Sequence, residues 1–302
     1  MAKFRSSNVV EPVETAEPVE DRDSEGVLDR SIGSIISELC DLSPEQVEQI
    51  LAHQQQHGVR FGEAAVALGL VSTNDVLQAL SQQFHYPYAP KRLNSLELVT
   101  LTQPFSAQAE AFRAIRSQIT MRLNHEGEVR KALAIISPDT LDGKSFFAAN
   151  LAVALAQLGS RTLLVDADMR GPRQHQIFEV PNKTGLSSVL SGRTSTQVIQ
   201  QVEGVPGLFV MPVGATPPNP LELVERPAFG LLMRELVSKF DHVLVDTPAA
   251  QYGADASVIA ARCGAALVLA RRNESRVADL LDLVGSFENC PVRITGVVMN
   301  EF

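Results

Sequence analysis

Gly143, Lys144 and Ser145 stand between an apolar run, KALAIIS, and a helical pattern, SFFAANLAVALAQL. Strand, loop and helix in that order let backbone N–H groups at the helix start attract phosphate oxygens. Lys144 can reach the outer phosphates and the Ser145 hydroxyl can ligate Mg²⁺. Asp142, Gly143, Lys144, Ser145 and Phe146 are therefore the candidate nucleotide contacts. The full pattern asks for Gly six residues before the Lys, and Pro138 occupies that position, so the loop alone reads equally well as a solvated turn. Two further segments decide. LLVDADMR sets Asp166 and Asp168 at the end of the next apolar run, and HVLVDTP sets Asp246 at the end of another. Ligands of open parallel sheets bind at those strand ends. A single Asp after a strand commonly caps a helix. Three acidic positions on two strand ends, beside Gly-Lys-Ser, make a site for Mg²⁺ and a nucleoside triphosphate.

The elements that must position these residues are legible from periodicity. KALAIIS, RTLLVDA, GLFVMPV, DHVLVDT, AALVLAR and RITGVVMN are short apolar runs bounded by turn residues, with helical patterns between most of them. Continuous apolar strands alternating with helices predict an α/β fold: a parallel sheet covered on both faces. Gly159 is expected to close the helix after the loop from the C′ position. Upstream, Ile32–Gln54 repeats as Phe61–Gln83 at an offset of 29 residues, pairing Gly33 with Gly62, Leu51 with Leu80 and Gln54 with Gln83. Each copy reads as two short helices, the second starting at a Ser cap. Residues 1–27 carry seven acidic and three basic side chains without periodicity, which predicts a disordered acidic tail. The expected organisation is a tail (1–27), a small all-helical unit (28–90), a linker containing APKRLNS, and a nucleotide-binding unit (100–302).

The net charge of −9, from 26 basic and 35 acidic residues, argues against coating nucleic acid. No apolar run approaches the ~20 residues that span a bilayer, and MAKFRSSNVVEPVETAEPVEDRD has no signal-type apolar core. Cys40, Cys263 and Cys290 are odd in number and scattered. They read as small buried hydrophobes in a reducing cytoplasm. The six histidines are not expected to form a metal site.

ISPDTLDGKSFFAANLA, LLVDADMR and DHVLVDTP together resemble the Walker A, A′ and B motifs of bacterial tyrosine kinases. These are deviant P-loop ATPases, a group that includes ParA and MinD. Glu110, Arg113 and Arg116 fit the E-x-x-R-x-x-R oligomerisation motif of those kinases. Through DRSIG, RFGEAAVALGL, YPY, PFS, DADMRGPRQHQIF, GATPPNP and VVMNEF, residues 28–302 resemble still more the EpsG-type chain-length-determinant kinases of exopolysaccharide clusters. The 29-residue repeat is similar to the N-terminal domain of type II secretion ATPases, some of which bind cyclic di-GMP. Candidate positions there are Arg60, Gly62 and Gln83, with Gly33 and Gln54 in the first copy; Phe61 and Ala65 depart from that pattern.

The resemblance implies ATP and Mg²⁺ as cofactors and a P-loop NTPase fold. Lys144 would hold phosphates, and Ser145 with Asp246 would place Mg²⁺. Asp166 would act as base or water-orienting group near the metal, Asp168 would assist there, and Arg170 would pin the A′ loop or meet a neighbouring subunit. Asn300 would contact adenine, and Glu110, Arg113 and Arg116 would join subunits of a homo-oligomer; a solvated helix face with an i,i+3 ion pair is the other reading of that trio. The implied function is a cytoplasmic protein tyrosine kinase, peripheral to the inner membrane through a membrane-embedded chain-length determinant (a polysaccharide co-polymerase). The alternatives are a ParA/MinD-like ATP switch and a nucleotide-weak scaffold. Against the first, Pro138-Asp-Thr carries no early loop Lys. For the second, Leu141 stands where φ > 0 is needed and Asp142 adds charge near the phosphates, which together would weaken nucleotide binding. The chain ends at Phe302 without a tyrosine cluster, so Tyr86, Tyr88 and Tyr252 are its own candidate acceptors.

Overall fold

The computed structural model describes residues 31–83, 97–123, 129–193 and 197–301. The acidic tail, the APKRLNS linker, Tyr86 and Tyr88 lie outside them. The repeat folds as four helices: α1 (Ile32–Leu39), α2 (Pro44–His57), α3 (Phe61–Ala67) and α4 (Thr73–Gln83). Ser43 caps α2 in a box with Gln46, each accepting the other's backbone N–H. Ser72 and Asp75 do the same at α4. Ile35, Ile36, Ile50, Phe61, Ala64, Val71 and Ala79 form the shared core. Gly62 permits its closest approach, because a Cβ there would sit 2.7 Å from Val76 Cγ1. One turn apart on α2, the rings of His53 and His57 lie 4.2 Å centroid to centroid, an i,i+4 pair the sequence reading passed over. Among the described residues no three potential metal ligands cluster.

The α/β region runs α5 (Val99–Thr102), α6 (Ala107–Leu123), β1 (Ala132–Ile136), α7 (Lys144–Ala156), β2 (Thr162–Asp166), α8 (Gln174–Ile177), α9 (Leu186–Leu190), β3 (Gln200–Gln201), β4 (Leu208–Met211), α10 (Pro220–Glu225), α11 (Pro227–Lys239), β5 (His242–Asp246), α12 (Asp255–Cys263), β6 (Gly264–Arg271), α13 (Val277–Gly285) and β7 (Arg293–Asn300). The sheet order is β3-β4-β2-β5-β1-β6-β7. Every neighbouring pair is parallel except β3–β4. The six apolar runs are thus the six parallel strands. The short polar edge strand β3 has no apolar signature and escaped the sequence reading. One sheet face packs α5, α6 and α7; the other packs α10 to α13. No helix among the described residues is long and apolar enough to cross a membrane.

Two expectations shift. Cys263 is buried, but Cys40 is half-buried and Cys290 exposed, because Cys290 falls in the turn after α13. Gly159 (φ 83) lies one residue later than C′, as α7 ends at Ala156 with Gln157 as its cap.

The central helix α7 is buried over Phe147–Ala156, and one polar residue fastens it to α5. Asn150, fully buried, accepts the backbone N–H (3.0 Å) and hydroxyl (3.0 Å) of Thr100, and donates to the carbonyls of Glu97 (2.7 Å) and Phe146 (2.9 Å). Asn150→Ala strands the Thr100 N–H and the Glu97 carbonyl, and is expected to cost about 2–3 kcal/mol in urea denaturation. A cost below about 0.5 kcal/mol would show that α5 is not fastened this way.

Candidate nucleotide-binding site

β1 ends at Ile136 and delivers the loop 137–143 to the first turn of α7. The loop is braced by its own side chains. Lys144 Nζ folds back to donate to Ser137 Oγ (2.9 Å) and the Asp139 carbonyl (3.3 Å). Gly143 caps α7 at φ 90, and Leu141 takes φ 63 with its side chain 76% exposed. The sequence expectation of a positive φ at Leu141 thus matches the backbone. Because a Cβ there costs about 1–2 kcal/mol and little apolar surface is buried, Leu141→Gly is expected to be at least as stable as the parent. Leu141→Val, β-branched at positive φ, is expected to lose about 1 kcal/mol or more against the Gly variant in the same denaturation experiment. Equal stabilities would mean the loop is unstrained.

The Asp142 carboxylate is buried and spent on the loop: it accepts the Asp139 N–H (3.1 Å) and the Ser275 hydroxyl (3.0 Å). What Asp142 has left for a phosphate is its backbone N–H. Asn300 donates to the Asp142 carbonyl (3.2 Å), bracing the loop from β7.

Behind the loop, β2 and β5 are neighbours in register, which sets Asp166 beside Asp246. Both are fully buried. Burial, then the Asp246 charge, pushes the Asp166 carboxyl well above its usual range. Burial pushes Asp246 up to about 6, against the opposing pull of Gln174, Ser145 and Lys144. Lys144 is lowered by burial, although Asp246, Asp168, Asp142 and Asp139 all favour its charge. The carboxylates do different work. Asp166 accepts backbone N–H groups from Asp168 (3.2 Å), Arg173 (3.1 Å) and Gln174 (3.0 Å), so both of its oxygens are occupied in shaping the A′ loop. Asp168 Oδ1 accepts from Arg170 and Gly171, while Asp168 borders the cavity beside the loop. Asp246 Oδ1 is buried and has no hydrogen-bond partner among the described residues. A buried oxygen left in that state, next to a second buried carboxylate, suits a cation or its bound water.

Gln174 was missed in the sequence. It is fully buried, and its Nε2 donates to Asp246 Oδ2 (2.8 Å) and the Ser145 carbonyl (3.1 Å), tying the Walker B strand to the first turn of α7. Nothing in GPRQHQ marks it, since its role depends on β5, far along the chain.

Thr140, Leu141, Gly143, Lys144, Ser145, Phe146, Asp168, Arg170, Arg173 and Tyr252 border a cavity of about 200 Å³. The first-turn candidates thus converge there with Asp168, while Asp166, Asp246 and Asn300 stand behind. Arg170 is pinned within the chain: its guanidinium pairs with the buried Asp255 (3.0 Å). Glu110, Arg113 and Arg116 lie apart on α6. Arg113 pairs with Glu110 (2.6 Å) and donates to the Pro104 carbonyl; Arg116 donates to the Ala154 carbonyl (2.8 Å) near the end of α7.

Comparison with known proteins places this geometry in a family. The family model for the CobQ/CobB/MinD/ParA nucleotide binding domain matches residues 133–302. CapB of Staphylococcus aureus is 34% identical over 213 residues, spanning 70% of this chain and 92% of CapB. The tyrosine-protein kinase ptk of Acinetobacter johnsonii is 32% identical over 212 residues, of which this chain spans only 28% of ptk's length. Among solved structures, the kinase domain of Escherichia coli tyrosine kinase ETK superposes with a TM-score of 0.65 at 29% identity, covering 70% of this chain and 82% of that domain. The chain therefore belongs to the CobQ/CobB/MinD/ParA nucleotide-binding family and, within it, to the bacterial tyrosine kinases.

Proposed function

We propose that the chain is a cytoplasmic, ATP- and Mg²⁺-dependent protein tyrosine kinase acting in exopolysaccharide biosynthesis, with a membrane-embedded chain-length determinant as its partner. The observation that carries the ATP–Mg²⁺ reading is the unpartnered, buried Asp246 Oδ1 behind the Lys144–Ser145 turn. In this reading Lys144 exchanges its bonds to Ser137 and Asp139 for phosphate oxygens, joined by the N–H groups of residues 143–146. Ser145 and Asp246 hold Mg²⁺, which when bound neutralises charge on the phosphates. Asp166 keeps the A′ loop in shape, and Asp168, which borders the cavity, would take the acceptor's proton. Glu110, Arg113 and Arg116 would serve a homo-oligomer by exchanging their present partners for those of a neighbour. Residues 28–90 would be a docking unit for protein, with cyclic di-GMP as the other candidate ligand.

The test is ATP turnover by the purified chain, with and without the cytoplasmic segment of the membrane partner, alongside phosphotyrosine detection. Turnover with phosphotyrosine supports the kinase. Turnover without it on any substrate favours a ParA/MinD-like switch, and no turnover favours a scaffold.

A further inference from the structure

Gln174 stands where three parts of the nucleotide site meet. Its backbone N–H donates to Asp166 Oδ2 (3.0 Å), and its side-chain NH₂ donates to Asp246 Oδ2 (2.8 Å) and to the Ser145 carbonyl (3.1 Å). One fully buried residue thus touches both strand-end carboxylates and the first turn of α7. The orientation of its amide follows from chemistry. A carboxylate oxygen and a carbonyl oxygen are both acceptors, so the NH₂ faces them and the carbonyl end is turned away. That spends both side-chain N–H donors. Gln174 Oε1 is buried and has no hydrogen-bond partner among the described residues, and the same holds for Asp246 Oδ1. Two buried acceptors, on two side chains in direct contact, therefore carry a desolvation cost that no bond among the described residues offsets.

We infer that Gln174 is a positioning residue for Mg²⁺: its NH₂ fixes the Asp246 carboxylate and the Ser145 backbone, and its Oε1 accepts a hydrogen bond from a water bound to the ion. The inference rests on the Mg²⁺–ATP reading and deepens it, adding a residue that lies outside the three motifs. A bare cation would answer the charge of Asp246 Oδ1. A neutral amide oxygen beside it calls for an O–H donor as well. Mg²⁺ meets both needs, because it characteristically keeps several of its waters when a protein holds it through few carboxylates. A purely structural brace between β5 and α7 would use the NH₂ alone, and Oε1 is the atom that such a brace leaves idle. Outer partners of this kind orient the groups that hold a metal and tune its affinity.

The experiment follows binding of mant-labelled ADP to the full chain by fluorescence, in EDTA and across a titration with MgCl₂, for the parent and for Gln174→Met. Methionine fills a similar volume without the amide's donors and acceptor. The two chains are expected to bind alike in EDTA, whereas the Mg²⁺ concentration for half-maximal enhancement rises about ten-fold or more in the variant. Should Gln174→Met fail to fold by circular dichroism, Gln174→Asn, whose amide falls a methylene short of these contacts, is expected to show the same shift. A Mg²⁺ requirement equal to the parent's overturns the inference and leaves the Mg²⁺–ATP reading standing. Affinity lowered equally with and without Mg²⁺ does the same, because it reduces Gln174 to a brace. Parent binding that does not respond to Mg²⁺ overturns both.

Discussion

Lys144→Met is expected to lower ATP turnover at least 100-fold while leaving the far-UV circular dichroism unchanged. The methionine keeps the packing of the lysine stem, which is buried to 7% exposure, so the variant deletes charge and donors but little volume. The loss is expected to be this large because the ammonium acts where charge develops on the transferring phosphoryl group, in a site partly screened from water. Removing one such preorganised donor typically costs 10²–10³ in rate, equivalent to about 3–4 kcal/mol of barrier. Stability should move much less. Burial already disfavours the Lys144 charge, which offsets part of what the lost bonds to Ser137 and the Asp139 carbonyl cost. Turnover within three-fold of the parent would remove Lys144 from the mechanism.

Asp246→Asn is expected to act in opposite directions on activity and stability. Turnover and Mg²⁺-dependent nucleotide binding should fall at least 100-fold, because the anionic oxygen at the end of β5 is gone. The ligand-free protein should become more stable by about 1–3 kcal/mol at neutral pH: the carboxyl is pushed from 3.8 to about 6, and each unit is worth about 1.4 kcal/mol. The sign follows from proton linkage. A carboxyl raised in the folded state keeps its proton to higher pH than the unfolded chain does, so parent stability falls as pH rises from about 4 to about 6. The advantage of the Asn variant is therefore full above pH 6 and closes toward pH 4. Denaturation at pH 4, 5, 6 and 7.5 checks this. A variant less stable than the parent at pH 7.5 would show that the attraction of Gln174, Ser145 and Lys144 to the charged carboxylate outweighs its desolvation.

How much of this was legible in the sequence follows the range of the interactions. The inner parallel strands were legible because they are buried along most of their length and therefore mainly apolar, as Ala132–Ile136 is; the edge strand β7, with Val297 and Met299 exposed, is covered on one face only. Leu141 was legible because a local backbone rule identifies a non-glycine where the loop turns left-handed. The three carboxylates were located, but not which hydrogen bonds each of them accepts. Which of them is tied up by N–H groups depends on the path of residues 168–174, and the sequence carries no periodic signal there. Gln174, Asn150 and the α5 segment were missed for a related reason. A buried amide makes sense only once its distant partners are known: Thr100 for Asn150, Asp246 for Gln174. The edge strand β3, two glutamines, has no hydrophobic pattern to read.

The Asn150 fastening has a mechanical consequence. The segment that enters the α/β region is bolted to the middle of α7, whose first residue is Lys144. Its leading residue Glu97 also grips Arg173 of the A′ loop at 2.8 Å. A displacement imposed on the chain ahead of Glu97 therefore has two anchors to work against, one on the phosphate helix and one on the loop that carries Asp168.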